Sequence, residues 1–271
     1  VSLRFAVFGS PVRHSLSPRI HAAFAAQCGI ALEYGAVDVT PEQFPEVLTR
    51  FHAEGGCGGN VTLPLKELAA AQVQAMDSAA ERAGAVNTLI RRGQGWDGAN
   101  TDGLGFIADL RRLGVRLSGA RVVVLGAGGA ARGVVGPLLD AGVSKVSVVN
   151  RSLERAQALA LRMEDKRLEA IPSGRVGELA APDLLVNALS VGHAGSAPVW
   201  PESLCSNQTV AYDLSYGKAA SGFLGWAQAA GAIATHDGLG MLVEQAAEAF
   251  ALWHGVRPDG VSVLAKLRGP D

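Results

Sequence analysis

The stretch "RVVVLGAGGAARG", residues 121–133, decides how the chain folds. Val122, Val123, Val124 and Leu125 form a short, mostly β-branched apolar run, the pattern of a strand buried on both faces. The run stops at Gly126, and Gly126, Gly128 and Ala131 follow at the G-x-G-x-x-A spacing, opening a helix. Gly126 permits the tight turn, Gly128 lets the backbone approach a pyrophosphate, and Ala131 allows close packing of helix on strand. The helix N-terminus offers free N–H groups and a partial positive charge to phosphates. A glycine triplet alone is a weak signal; with a strand before it and a helix and strand after it, it reads as a dinucleotide site, the alternative being a glycine-rich turn of an α/β fold that binds nothing. Pro137 fits less well, because a proline inside the expected helix removes a hydrogen bond or kinks it.

The next strand, "KVSVVN", decides which dinucleotide. A nucleotide with a free ribose 2′-OH calls for Asp or Glu at this strand's end. Here the chain reads "VVNRSLER", with Asn150 where the acid would stand, Arg151 after it and Arg155 four residues on. Guanidinium groups bind a 2′-phosphate dianion through charge-assisted hydrogen bonds, and an acid would repel it. The expected cofactor is NADP(H) rather than NAD(H). In the competing reading Ser152 only caps a helix and the arginines are solvated.

Strand and helix patterns alternate outward in both directions. Downstream come a helix in "SLERAQALALRMED" and strands in "PDLLVNAL", "TVAYDL" and "AIATHDG". The last pattern, "GMLVEQAAEAFALWHG", is an amphipathic helix that follows the final strand and is expected to cross back onto the N-terminal part. Upstream, "RFAVFG" and "LEYGAVDV" read as strands. "SPRIHAAFAAQCG" reads as a helix capped by Ser17 and stopped by Gly29, and "TPEQFPEVLTRFHAEG" as one capped by Thr40. "GGNVT" is a third strand, residues 65–74 look helical, and "AVNTLIRR" with "GWDGANT" forms a hairpin around Gly93 and Gly95. The expected fold is α/β with an N-terminal domain over residues 1–102, a nucleotide domain over 103–238 and a returning helical segment over 239–271.

Composition narrows the partners. The chain has 271 residues, 48% hydrophobic and 18% charged, which is enough for a real core. A formal net charge of -1 argues against nucleic-acid binding. No run is apolar for the roughly 18 positions a membrane helix needs, and the N-terminus has no signal-peptide layout. Cys28, Cys57 and Cys205 lie far apart and read as reduced thiols of a cytoplasmic protein. The six histidines form no ligand pair, so no metal is expected; His14 and His21 read as structural.

Four polar motifs stand at expected strand ends of the first domain: "GSPVRHSLSP" (9–18), "GNVTLPLK" (59–66), "GAVNT" (84–88) and "GANTDGLG" (98–105). Ligands of open α/β sheets collect outside strand carboxyl ends, so the four are expected to face one cleft. Their hydroxyls and amides, one lysine and one aspartate suit a small substrate rich in hydroxyls.

These motifs, in this order and followed by "GAGGAARG", "NRS" and "DGLGMLVEQAAEAF", resemble the shikimate dehydrogenase family over about residues 4–256. The resemblance implies a substrate domain joined to a Rossmann-type domain. It also implies NADPH-dependent reduction of 3-dehydroshikimate to shikimate, a step of aromatic amino-acid biosynthesis, by a monomer or homodimer. Carried onto matching positions, Ser15, Ser17 and Tyr216 would hold the substrate carboxylate, and Asn60, Thr62, Asn87 and Gln245 its ring hydroxyls. Lys66 and Asp102 would be the catalytic pair. Gly126, Ala127, Gly128, Gly129, Ala130, Asn150, Arg151, Ser152, Arg155, Gly238 and Met241 would line the cofactor. The chain departs from the family's N-A-T-S-x-G-M in reading "NALSVGHAG", with Leu189 and His193 for Thr and Met.

A lysine ammonium is a suitable proton donor to the alkoxide that hydride delivery creates, and Asp102 within reach would orient it. Lys66 taken alone would be an ordinary surface charge, Asp102 a helix cap, and Ser15, Ser17 and Asn87 turn or cap residues. Two competing readings remain: a quinate or broader shikimate/quinate dehydrogenase, and a non-catalytic NADPH-binding regulator that keeps the fold.

Overall fold

The computed structural model describes residues 2–189 and 200–269. The chain divides into two compact units, Val1–Gly105 with Leu242–Asp271, and Phe106–Met241.

The first unit is built on β1 (Leu3–Gly9), α1 (Ser17–Cys28), β2 (Leu32–Asp38), α2 (Phe44–Ala53), β3 (Gly56–Val61), α3 (Lys66–Ala70), β4 (Ala75–Met76), α4 (Ser78–Ala83), β5 (Thr88–Arg92) and β6 (Gly95–Ala99). The strands form one sheet in the order β2-β1-β3-β5-β6-β4. β1 runs parallel to β2 and β3, whereas β5 is antiparallel to both β3 and β6. Phe8, Phe44, Leu48, Val61, Leu65, Leu89 and Trp96 make a core on this sheet.

Local chemistry moves several boundaries. Ser17 is the first residue of α1 rather than its cap, and its N–H donates to Ser15 Oγ at 3.2 Å. The second helix begins at Phe44, not beside Thr40. Pro45 cannot donate to the carbonyl of Pro41, and its ring would collide there, so residues 40–43 form a turn closed by Phe44 N on Thr40 O at 3.1 Å. The helix expected over 65–74 stops at Ala70. Gln74 N donates to Trp96 O at 2.8 Å, which draws the chain into the sheet as β4. β4 and α4 are too short to leave a periodic pattern.

The second unit contains most of α5 (Asp102–Arg112), then β7 (Arg121–Leu125), α6 (Gly129–Asp140), β8 (Lys145–Asn150), α7 (Leu153–Met163), β9 (Leu168–Pro172), β10 (Leu184–Asn187), β11 (Val210–Asp213), α8 (Lys218–Ala229) and β12 (Ala234–Asp237). The sheet order is β12-β11-β10-β7-β8-β9, and every pairing is parallel. Counted within the unit this is 3-2-1-4-5-6, the doubly wound Rossmann order with its switch point between β7 and β10. Val122, Val124, Val134, Leu138, Val146, Val148, Leu184 and Val186 are essentially closed to solvent. α6 runs through Pro137, and Ala141 N still closes onto Pro137 O at 2.9 Å.

The chain ends in α9 (Leu239–His254) and α10 (Gly260–Arg268). From Leu242 onward α9 belongs to the first unit, where Trp253 Nε1 donates to Leu89 O at 3.0 Å and the Trp253 ring lies 4.6 Å from Phe5. Asp259 caps α10 by accepting from Val261 N and Ser262 N, and Gln27 of α1 holds Ser262 Oγ at 2.8 Å. Gly105 makes the α9 approach possible: a Cβ there would collide with the backbone of Gln245.

Candidate active site

The first unit gathers its four motifs at one edge of its sheet because β5 is antiparallel. Asn60 pairs with Thr88 and Thr88 with Ala99, so the start of β5 lies beside the ends of β3 and β6. The third motif is therefore at a strand's amino end, not a carboxyl end as expected. Backbone bonds tie the motifs together: Ser10 N to Leu63 O at 3.0 Å, Val61 N to Asn87 O at 2.8 Å, Val86 N to Lys66 O at 2.9 Å and Asn87 N to Ala99 O at 3.1 Å. The first two motifs each contain a cis X-Pro bond, Ser10–Pro11 and Leu63–Pro64.

Lys66 and Asp102, 36 residues apart, meet here, with Lys66 Nζ 2.5 Å from Asp102 Oδ2. Their side chains are 12% and 5% exposed, so neither is a solvated surface charge. Asp102 Oδ1 accepts from Asn87 Nδ2 at 2.8 Å, and its N–H donates to Asn100 Oδ1 at 3.1 Å. It opens α5, where the free N–H groups of the first turn favour a negative charge. One carboxylate oxygen is thus held by an amide while the other faces the ammonium.

Asn87 is 2% exposed and almost fully used inside the protein. Its Nδ2 is shared among Thr101 Oγ1, Asp102 Oδ1 and Gln245 Oε1 at 3.0, 2.8 and 3.2 Å, and its Oδ1 accepts from Thr101 N at 2.9 Å. Gln245 also donates to Leu242 O at 2.9 Å. Asn87 therefore orients Asp102 and Gln245 within the cluster. Ser15 Oγ donates to Ser17 Oγ at 3.1 Å, which places two hydroxyls side by side at the start of α1. Thr62 follows β3, its N–H on Phe8 O at 2.9 Å.

Several residues of this cluster were not singled out from the sequence. Thr88, Thr101 and Asn100 lie inside the quoted motifs, and only the buried network reveals their part. Tyr34 Oη donates to Asn60 Oδ1 at 2.6 Å, a pairing across 26 residues that no local pattern signals. Another groove, lined by Phe8, Val37, Val47 and Phe51, shares only Tyr34 with this cluster. Among the described residues no His, Cys, Asp or Glu cluster of metal-ligating size occurs.

The second unit places the glycine motif at its switch point. Gly126 has φ of 112°, a backbone region that favours glycine, and its N–H donates to Val149 O at 2.7 Å. Gly128 stands at the N-cap of α6 with open space where a Cβ would be, followed by Gly129 and Ala130 in the first turn. Ala127 is buried. This backbone cradle, with free N–H groups and room for close approach, fits a pyrophosphate. At the end of β8, Asn150 Nδ2 donates to Ser152 O at 2.8 Å, and Ser152 Oγ to Glu154 Oε2 at 2.8 Å. Ser152 occupies the N-cap of α7 without a side-chain cap bond. Arg151 and Arg155, the residues expected to meet a 2′-phosphate, are exposed, and no ion pair among the described residues engages either.

The remaining expected contacts divide. Tyr216 belongs to the second unit, half-buried in the loop after β11. Gly238 is required by packing, since a Cβ there would collide with the Leu214 carbonyl. Met241 is 7% exposed and sits in the apolar core of that unit. Leu189 lies near Gly126, 3.1 Å from where a Cβ would stand; His193 lies outside the described residues.

At the same strand edge Asp213 is fully buried, accepting from Asn187 Nδ2 at 2.8 Å and Ser215 N at 2.8 Å. Burial raises its pKa to about 6 against the opposing effect of those two donors, with Asp237 adding repulsion.

Comparison with known proteins agrees across the chain. Residues 7–89 match the shikimate dehydrogenase substrate binding domain, residues 109–194 the shikimate / quinate 5-dehydrogenase model, and residues 238–266 the shikimate 5'-dehydrogenase C-terminal domain. The shikimate dehydrogenase (NADP(+)) of Xylella fastidiosa is 53% identical over 260 residues, covering 94% of this chain and 92% of that one. Its counterpart in Xanthomonas campestris pv. campestris is 52% identical over 272 residues, covering 99% and 96%. The crystal structure of shikimate 5-dehydrogenase from Thermus thermophilus in complex with NADP(H) and shikimate superposes with a TM-score of 0.84 at 38% identity, covering 98% of each chain.

Proposed function

The chain belongs to the shikimate dehydrogenase family, and from that premise we infer that it catalyses the NADPH-dependent, reversible reduction of 3-dehydroshikimate to shikimate in aromatic amino-acid biosynthesis. The observation that carries the chemistry is the buried Lys66–Asp102 pair, set among hydroxyls and amides at one sheet edge.

NADPH, when bound, supplies the hydride. Gly126, Ala127, Gly128, Gly129 and Ala130 would hold its pyrophosphate against the α6 N-terminus. Arg151 and Arg155, with Asn150 and Ser152, would hold the 2′-phosphate, and Gly238 and Met241 would shape the site. The chain's own residues handle the proton. As the ketone gains negative charge, Lys66 Nζ lies ready to donate to the oxygen and to stabilise the charge. Asp102 keeps the ammonium aimed, and Asn87 keeps Asp102 from rotating. In the oxidative direction the neutral lysine takes the proton back. Ser15 and Ser17, joined by Tyr216, would hold the substrate carboxylate; Asn60, Thr62, Asn87 and Gln245 would meet the ring hydroxyls.

The same reading makes the protein a cytoplasmic monomer or homodimer acting on a small molecule. In support, no helix among the described residues is long and apolar enough to cross a membrane, and the three cysteines are free.

One assay tests the function: initial rates of NADP+ and NAD+ reduction with shikimate and with quinate side by side. The expected outcome is the highest kcat/KM for shikimate with NADP+. Equal turnover of quinate would favour the broader shikimate/quinate reading, and no turnover of either would leave the non-catalytic regulator.

A further inference from the structure

Behind the substrate motifs lies a buried titratable group that the mechanism does not use. His21, on the inward face of α1, is closed to solvent, and neither ring nitrogen has a hydrogen-bond partner among the described residues. Burial pushes its pKa down to about 3, so the ring is neutral under working conditions. It lies flat on Tyr34 of β2, with ring centroids 4.3 Å apart and planes 6° from parallel. Trp253 and Phe250 of α9 enclose it at 5.2 and 6.2 Å. An imidazole in this apolar box acts as a flat surface rather than as an acid or base, and the ring it supports is that of Tyr34.

Tyr34 carries the effect into the site. Tyr34 as a whole is half-buried, but its hydroxyl is buried among Asn60 and Ser17, and burial raises its pKa well above the usual value. The hydroxyl therefore stays protonated and donates to Asn60 Oδ1 at 2.6 Å. Asn60 in turn donates both amide hydrogens inward, to Asn87 O at 3.2 Å and Thr88 Oγ1 at 3.3 Å. Asn87 O can only accept, so the amide cannot turn over without setting its own oxygen against that carbonyl. What Asn60 has left for a ligand is the second lone pair of Oδ1.

We propose that Tyr34, stacked on His21, is a positioning residue that fixes Asn60 as a hydrogen-bond acceptor, so that this point of the site selects a substrate hydroxyl that donates. A group that can only accept, such as an ether oxygen or a carbonyl, meets an oxygen there and is rejected. The inference rests on the functional reading above and adds a polarity that the identity of Asn60 does not reveal, since an asparagine offers both a donor and an acceptor.

The test uses the full chain and two readouts. Tyr34→Phe keeps the ring on His21 and removes one O–H. Its KM for shikimate is expected to rise about five- to tenfold, the worth of one ordinary hydrogen bond, with kcat within about twofold and the NADPH Kd unchanged. Shikimate analogues with one ring hydroxyl at a time, other than the hydroxyl that is oxidised, converted to a methyl ether or to fluorine, assayed with the wild type, are expected to reveal one position where the O–H is required. At that position the penalty for losing the O–H is expected to shrink in Tyr34→Phe. Tolerance of both replacements at every non-reacting position by the wild type would overturn the proposal, as would an unchanged KM in Tyr34→Phe. A parallel fall in kcat and NADPH affinity would also overturn it, because that pattern marks general loosening of the fold. Wild-type chain that does not turn over shikimate would take the functional reading down with it; turnover with an unchanged KM in Tyr34→Phe would sink this inference alone.

Discussion

The two sheets solve the problem of ligand binding in opposite ways. The second unit repeats one motif, a buried parallel strand followed by a turn, and its site is largely backbone: a glycine cradle, a helix N-terminus and two exposed arginines. The first unit mixes parallel and antiparallel strands, and its site is a web of side-chain hydrogen bonds reaching from Tyr34 through Asn60 and Thr88 to Asn87, Asp102 and Gln245. A cofactor used by many enzymes can be held by generic backbone groups. A particular polyhydroxylated substrate needs donors and acceptors placed one by one, and those must be buried, paired and held by neighbours.

Three experiments would break or sharpen that contrast. The largest effect is expected from Lys66→Ala, which removes the proposed proton donor: kcat should fall by about two or more orders of magnitude, the usual worth of acid–base catalysis. The NADPH Kd measured by fluorescence should stay near wild type. Full activity in this variant would remove the lysine from the chemistry.

Next comes Asp213. Its folded-state pKa of about 6 lies above the usual 3.8, so the folded chain holds a proton that the unfolded chain has already released. Stability from this group is present below pH 4 and lost as pH rises to about 6, by about 3 kcal/mol at most. Asp213→Asn cannot titrate. Denaturation of both proteins from pH 4 to 7 should show their stability difference moving in the variant's favour with rising pH, and a flat difference would show that the buried carboxyl does not titrate there.

The smallest effect belongs to Arg151→Ala. Loss of one charge-assisted contact should weaken NADPH binding about tenfold or somewhat more, while NADH binding changes little. If both cofactors weaken equally, Arg151 supports the loop and not the 2′-phosphate.

Legibility followed the same division. β7, β8, β10 and β11 announced themselves because strands buried on both faces read as apolar runs. β9, with "LEAIP", and the two-residue β4 left no such run, and they exist because a neighbour offers a ladder. α8, with Gly222 and Gly225 inside it, has no expected counterpart, and α10, nine residues capped by Asp259, falls within the expected C-terminal helical segment without a pattern of its own. The motifs of the first unit were visible as polar clusters, and Lys66 and Asp102 stood out through resemblance. Thr88 and Thr101 had no more claim than any other threonine until their hydroxyls met Asn87.

By itself, then, the sequence determined the elements whose causes are local: the turn at Gly126, the helix opened by Gly128, the absence of an acid at Asn150 and the presence of Arg151 beside it. Only the tertiary structure decided which side chains meet. Lys66 and Asp102 are paired because β5 runs antiparallel and brings the start of one strand to the ends of two others. Gln245 joins them because Gly105 lets α9 come close. The polarity of Asn60 was settled by a carbonyl 27 residues away and a tyrosine on a different strand. Hydrogen-bond direction depends on every partner at once, and those partners are neighbours in space rather than along the chain.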